Sequence, residues 1–170
     1  MNRITFDTGI IGALRITEEN NAISQIEFIT EEIVSATSEV SDAEEDVFSP
    51  VLEKARIQIM EYLRGEREEF TFPITMNGTT FQEEVWTALL DIPYGETCSY
   101  KELAAMINNP KACRAVGMAN NHNRLPIVIP CHRVIGADGR MIGYAGGIPI
   151  KKKLLSIERT HNLAKVFVRD

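Results

Sequence analysis

Long apolar runs are missing from this 170-residue chain: no stretch of about 18 apolar residues occurs, the length a helix needs to cross a bilayer. The opening Met1-Asn2-Arg3-Ile4-Thr5-Phe6-Asp7 also lacks the apolar core of a secretory signal. A soluble, intracellular protein is expected. Cysteine is scarce as well. Cys98, Cys113 and Cys131 are odd in number and show no Cys-x-x-Cys spacing, so neither a disulfide framework nor a structural zinc site is signalled. Free thiols in a reducing compartment are expected instead. What is present is ordinary: 44% hydrophobic and 25% charged residues, enough for one large domain or two small ones.

Positive charge is short overall, and the net charge of -6 argues against a nucleic-acid partner until its distribution is considered. Met1 to Gly78 holds 6 basic and 16 acidic side chains, a net of -10, whereas Thr79 to Asp170 holds 12 and 8, a net of +4. From Thr97 onward, 12 basic side chains stand against 4 acidic, a net of +8 that can meet a polyanion although the whole molecule is acidic. A solvated charged surface is the competing reading.

Ile10 to Ile16 and Ala22 to Ile29 are β-rich and flank the polar Glu18-Glu19-Asn20-Asn21, which predicts a hairpin. Thr30 to Asp46 is acidic and poor in large apolar residues, as a mobile loop would be. Ser49 can then cap a helix with Pro50 at its first position. Val51, Leu52, Ala55, Ile59, Tyr62 and Leu63 recur at helical spacing before Gly65. A small sheet-plus-helix domain over 1–78 follows, with the sheet starting near Ile10.

The region 79–170 reads as mainly helical. Thr80-Phe81-Gln82-Glu83 and Ser99-Tyr100-Lys101-Glu102 both have the form of a capping box. The second opens a short helix through Ile107, and Asn109-Pro110 can start another from Lys111 to about Asn120. Two short helices joined by a tight turn predict a helix-turn-helix. Ala112, Ala115, Gly117 and Ala119 make its second helix thin, with Arg114 standing out among them. Such a helix can press on its protein's own core or approach another backbone, and the neighbouring chemistry must decide.

Leu125 to Pro130 is an apolar run bounded by prolines, predicted to be a buried extended lead into Cys131-His132-Arg133-Val134. Gly136 to Gly139 reads as a turn and Gly143-Tyr144-Ala145-Gly146-Gly147 as a loop that could approach a flat ligand. Pro149 then starts a last helix carrying Lys151, Lys152, Lys153 and Glu158. A Cys-His pair alone is weak, since a buried Cys is usually a small hydrophobe and sequence neighbours often point apart. A nucleophilic thiol needs a base, and the base needs an orienting partner; His132 and a carboxylate such as Glu158 can supply them.

At Pro130-Cys131-His132-Arg133-Val134 the chain resembles the active-site motif of the methylated-DNA–protein-cysteine methyltransferases, or O6-alkylguanine-DNA alkyltransferases. Thr80 to Trp86, Ile92 to Thr97, Ser99-Tyr100, Arg114-Ala115-Val116-Gly117, Asn123 and Gly143 to Gly147 also occur in family order and spacing. The likeness spans about Thr79 to Leu163, and ordered motifs are more specific than any one of them. It implies an α/β (α+β) fold: a ribonuclease H-like sheet-plus-helix domain over 1–78, then a winged-helix-like DNA-binding and active-site domain over 79–170.

The resemblance also implies roles. Cys131 accepts an alkyl group from O6 of guanine, less readily from O4 of thymine, with His132 as base through a water, Glu158 holding the imidazole and Tyr100 giving a proton to guanine N3. Arg114 replaces a flipped base, Ala115 and Gly117 allow close minor-groove approach, and Asn123 ties the recognition helix to the active-site segment. Carbonyls of Cys131 and Val134, with backbone N–H groups near Tyr144 and Ala145, form the base pocket. Some members carry Ser where this chain has Ala145, leaving only the backbone N–H there. No cofactor and no metal is implied; no Cys precedes Cys98 to build an N-terminal zinc site. The expected partner is double-stranded DNA containing O6-alkylguanine, met by a monomer in the cytoplasm, or the nucleus of a eukaryote, away from membranes. Cys98 and Cys113 are expected to be structural. Three other readings are a non-catalytic damage-binding protein of the same fold, a helix-turn-helix regulator and a Cys-His hydrolase.

Overall fold

The computed structural model of the chain describes residues 1–30 and 49–168, excepting the side chains of 163–168. The acidic loop expected from Thr30 to Asp46 lies, beyond Thr30, outside the described residues. The sheet begins earlier than the composition around Ile10 predicts, because β1 (Asn2–Asp7) pairs antiparallel with β2 (Ala13–Glu19). The expected hairpin joins β2 to β3 (Ala22–Ile29), giving the order β1-β2-β3. Asn20 and Asn21 turn the chain with φ of 51° and 62°, the doubly positive pattern of a type I′ turn that Asn tolerates. Leu14, Ile16, Ile23, Ile26 and Phe28 are buried.

Helix α1 (Pro50–Leu63) starts as its sequence predicts: the Ser49 hydroxyl accepts from Leu52 N at 3.2 Å, and Pro50 gives up no needed donor at the first position. Its Leu52, Ala55, Ile59, Tyr62 and Leu63 are buried, and the helix packs on β2 and β3. Helix α2 (Thr80–Leu90) has its capping box one residue earlier than expected. Thr79, rather than Thr80, is the cap; its hydroxyl accepts from Gln82 N at 3.2 Å, and Gln82 Oε1 accepts from Thr79 N at 3.0 Å. Gln does here what the sequence reading assigned to Glu83.

The two-residue β4 (Cys98–Ser99) leads into α3 (Tyr100–Met106), capped by the predicted Ser99–Glu102 box. Helix α4 (Cys113–Asn121) starts two residues later than Lys111, after a turn through Asn109 and Pro110, and no side chain caps it. Helices α3 and α4 pack on one another and on α2. Trp86 pins α2 to α4 by donating its indole N–H to Ala119 O at 2.8 Å. β5 (Val134–Ile135) pairs parallel with β4, and α5 (Ile148–Val168) closes the described chain. The Gly136–Gly139 turn forms, with Gly139 N donating to Gly136 O at 2.9 Å.

The expected extended lead-in is a correction. Leu125 to Pro130 is buried as the apolar run requires, but it turns: Ile129 N donates to Leu125 O at 2.9 Å, and Ile127 has a φ of 75°. Pro126 presets a turn dihedral, and the two Asn123 hydrogen bonds described below hold the loop closed. One apolar cluster runs from Leu14 and Ile26 through Ile59, Trp86, Leu103 and Val116 to Cys131 and Leu154, so sheet and helices share a core. Among the described residues, no helix is long and apolar enough to cross a membrane.

A Cβ at Gly78 would stand 2.5 Å from the Trp86 ring, which its bond to Ala119 prevents from moving aside. Gly78→Ala should therefore cost about 1–3 kcal/mol as overpacking does; an unchanged urea midpoint would show that Trp86 is not pinned.

Candidate active site

Cys131 is placed by backbone bonds set in motion by Asn123. The Asn123 amide donates from Nδ2 to Ile129 O and accepts at Oδ1 from Leu125 N, both at 2.9 Å, closing the loop between them. Within this loop Ile127 holds its left-handed φ, a costly conformation for a β-branched residue that persists only where surroundings impose it. Pro130, at φ -80° and ψ 61°, is the centre of an inverse γ-turn in which Cys131 N donates to Ile129 O at 2.8 Å. A single 3-10 turn, Cys131–Arg133, then puts the thiol inside the core at 4% exposure and turns His132 and Arg133 toward α5.

There Glu158, fully buried, accepts five hydrogen bonds from four residues. Its Oε2 receives His132 Nε2 at 2.5 Å, the Tyr62 hydroxyl at 2.5 Å and Arg133 Nη2 at 3.3 Å. Its Oε1 receives Arg133 Nε at 2.8 Å and Gly95 N at 3.0 Å. Arg133 also donates to Ile92 O at 2.7 Å and lies 5.6 Å from the Tyr94 ring centroid. Gly95 can come this close because it has a φ of 79° and no Cβ; a Cβ would overlap Asn162, which itself holds Tyr94 O. With Nε2 committed to Glu158, His132 Nδ1 has no hydrogen-bond partner among the described residues.

Burial sets the protonation states. It pushes the Cys131 thiol up to about 11, against the smaller opposing effects of the Asn123 amide and the Lys151 ammonium. Burial also lowers His132, which its bond to Glu158 only partly offsets. For Glu158, burial alone would raise the carboxyl, but hydrogen bonds and charge from His132 and Arg133 overcome it and hold the group down at about 2. At neutral pH the centre is a thiol beside a neutral imidazole backed by a carboxylate, a base with its lone pair on Nδ1.

The other residues singled out in the sequence lie around this centre. Tyr100 is half-buried at the start of α3, and its ring is what a Cβ at Gly117 of α4 would meet, at 3.7 Å. Burial and then the charge of Cys131 raise the Tyr100 phenol. Val134 is buried and its carbonyl accepts from Lys151 Nζ at 2.6 Å, while Cys131 O accepts from the Val134 N–H and, at 3.5 Å, from Asn120 Nδ2. Tyr144 packs edge-on against Phe28 of β3 at 5.7 Å, and Ala145 beside it is exposed. Arg114 and Ala115 are exposed on α4, away from the relay.

Four residues were assigned no such part by the sequence reading. Tyr62 reads as one more apolar position on α1, Arg133 as a motif member and Lys151 as one of three successive lysines, yet Lys151 is fully buried and also donates to Ile142 O at 3.0 Å. Met118, 63% exposed on the Arg114 face of α4, is the fourth. The helical period puts Tyr62 inside but cannot say what its hydroxyl faces. Among the described residues no cluster of three or more His, Cys, Asp or Glu could hold a metal ion.

Residues 80–160 match the family described as 6-O-methylguanine DNA methyltransferase, DNA binding domain. The constitutive methylated-DNA–protein-cysteine methyltransferase of Bacillus subtilis (strain 168) is 45% identical over 160 residues, 94% of this chain and 96% of that one. A protein of the same name from Methanosarcina barkeri (strain Fusaro / DSM 804) is 52% identical over 108 residues, 64% of this chain and 68% of its own. Among solved structures, Mycobacterium tuberculosis OGT in complex with DNA superposes with a TM-score of 0.80 at 39% identity, covering 95% of this chain and 94% of that one.

The depressed Glu158 carboxyl ties stability to pH with a definite sign. A carboxylate held below its ordinary value of 4.5 stabilises the fold above that pH, and the contribution is lost as pH falls toward about 2. His132, buried neutral, adds a loss that starts as pH drops below 6.5. The urea midpoint should fall across this acid range, and less steeply in Glu158→Gln; equal slopes would detach the relay from acid stability.

Proposed function

Because this chain belongs to the methylated-DNA–protein-cysteine methyltransferases, we propose that it repairs DNA directly, moving a methyl or other alkyl group from O6 of guanine, and less readily from O4 of thymine, onto the thiol of Cys131. The observation that carries this reading is a buried thiol whose neighbouring imidazole is held at Nε2 by Glu158 and open at Nδ1. His132 draws the Cys131 proton through a bridging water as sulfur attacks the alkyl carbon. The carbon–O6 bond breaks and its electron pair goes to the guanine. Tyr100, kept protonated by burial, gives its proton to guanine N3, so neutral guanine leaves.

A thioether offers no leaving group that would restore the thiol, so each chain acts once. No cofactor or metal takes part in this scheme. The Cys131 and Val134 carbonyls accept from the guanine amino group, Cys131 O giving up its long bond from Asn120 Nδ2 to do so, and N–H groups near Tyr144 and Ala145 bond O6. Ala145 offers no hydroxyl, so the backbone alone does so there.

The target atom lies inside a stacked duplex, and extruding the nucleotide costs roughly a few kcal/mol. Exposed Arg114 enters the stack in its place, while Ala115, Gly117 and neighbouring Met118 give α4 a low, partly apolar face suited to the minor groove. Asn123 links this helix to the thiol loop. The region 79–170 acts as a winged-helix-like DNA-binding and active-site domain, and 1–78 as a ribonuclease H-like domain that braces it through Phe28 and Tyr62. The protein works as a monomer on double-stranded DNA containing O6-alkylguanine, in the cytoplasm, or the nucleus of a eukaryote.

A non-catalytic damage-binding protein of the same fold is the alternative reading. A thiol with a base beside it serves no purpose in such a protein and weighs against it. Mixing the protein with a duplex carrying one O6-methylguanine should add the mass of one methyl group, mapped to Cys131, and Cys131→Ala should abolish the gain while DNA binding persists. Tight lesion-selective binding with no mass gain would instead favour the damage-binding reading.

Arg114→Ala should slow repair of duplex DNA by about tenfold or more, corresponding to roughly 1.4 kcal/mol lost from the flipped state, and spare reaction with free O6-substituted guanine. Equal losses on both substrates would remove the intercalating role.

A further inference from the structure

Of the donors to the relay carboxylate that the transfer chemistry leaves unused, Tyr62 comes closest to the oxygen that holds His132. The Tyr62 hydroxyl lies 2.5 Å from Glu158 Oε2 and 3.3 Å from His132 Nε2. Tyr62 is fully buried, and its ring packs between Phe70 and Tyr94, with centroids 5.4 and 6.1 Å away. Phe at this position would fill the same space. The apolar surroundings therefore account for the ring and not for the hydroxyl, and a buried hydroxyl aimed at an occupied carboxylate oxygen alters whatever else that oxygen holds.

We propose that Tyr62 is a positioning residue of the relay: by sharing Glu158 Oε2 with His132, it draws charge away from the Nε2–H bond and keeps the imidazole a neutral base. This rests on the transfer reading above. Arg133 does not do the same work alone, because its shorter bond is to Oε1 and its Nη2 is 3.3 Å from Oε2. The charged and titratable groups facing this pair are Tyr62 from α1, Tyr94 beside the Gly95 loop, Cys131 and Arg133 from the 3-10 turn, Tyr144 from the Gly-rich loop, and Lys151 from α5. Arg133 and Lys151 disfavour an imidazolium and the Glu158 carboxylate favours it, so the balance depends on how much carboxylate charge reaches Nε2. Without the Tyr62 hydroxyl more of it does, His132 holds a proton to higher pH, and a protonated His132 cannot take the Cys131 proton.

The test is the pH dependence of single-turnover methyl transfer from an O6-methylguanine duplex, together with the NMR titration of the His132 ring. Tyr62→Phe should move both upward by about one pH unit, the scale of one hydrogen bond to an ionised carboxylate. Replacing Tyr62 by 3,5-difluorotyrosine, a stronger donor of the same shape, should move both downward. A merely structural role would not reverse sign between the two. Unmoved profiles, or shifts in the same direction, overturn the proposal; if Tyr62→Phe does not fold, the fluorinated protein decides by its downward shift or its absence. The unaltered protein is the control: no methyl transfer there removes the transfer reading, whereas transfer with unmoved profiles removes only the role of Tyr62.

Discussion

The structure depends on satisfying one buried carboxylate. An ionised Glu158 taken out of water would be untenable without partners, and its two oxygens are supplied by Tyr62, Gly95, His132 and Arg133. Those donors come from α1, from the loop after α2 and from the turn that carries the thiol. A single side chain on α5 thereby fixes where three other parts of the chain must meet. Remove one donor and the others must carry a charge they were arranged to share. Burial, helped by the charges of Arg133 and Lys151, explains why the imidazole stays neutral in spite of a carboxylate at 2.5 Å.

Much of this was legible in the sequence, for reasons that differ by element. Ser49-Pro50 and Ser99–Glu102 announce helix starts because capping is local chemistry, carried by residues three apart. The Asn20-Asn21 turn is legible for the same reason. The strand β1 was not, since its six residues offer only Ile4 and Phe6 as large apolar positions, too short an alternation to announce a strand although it pairs with β2 across just the five residues Thr8 to Gly12. The proline-bounded segment misled: apolar composition reports burial, and Ile127 in a left-handed conformation is imposed by Asn123 and the surrounding core. Within the site, His132 and Glu158 meet in the hydrogen bond that their residue types suggest, and Cys131, next to His132 in sequence, is buried. Tyr62 and Lys151 were invisible because helical periodicity and a run of lysines describe faces, and what matters is the one polar atom each places inside.

Charge and geometry divide the labour along the chain. The basic part holds the exposed Arg114 helix, and the acidic part contributes Tyr62 and Phe28 to the walls of the site. The thiol itself is kept protonated, held up at about 11 by burial. A permanent thiolate would react with any passing electrophile, whereas a thiol with a poised base waits for a ligand that fits. For a group that can be used once, restraint at rest matters as much as reactivity.

Glu158 sits in the middle of α5, well after Cys131 in chain order. On the ribosome, therefore, the nucleophile emerges before the residue that orients its base. Until α5 has left the exit tunnel and docked, His132 has no fixed tautomer and the thiol no partner to deprotonate it. The nascent chain is thus chemically dormant, and competence arrives only once α5 has closed over the turn that carries the thiol.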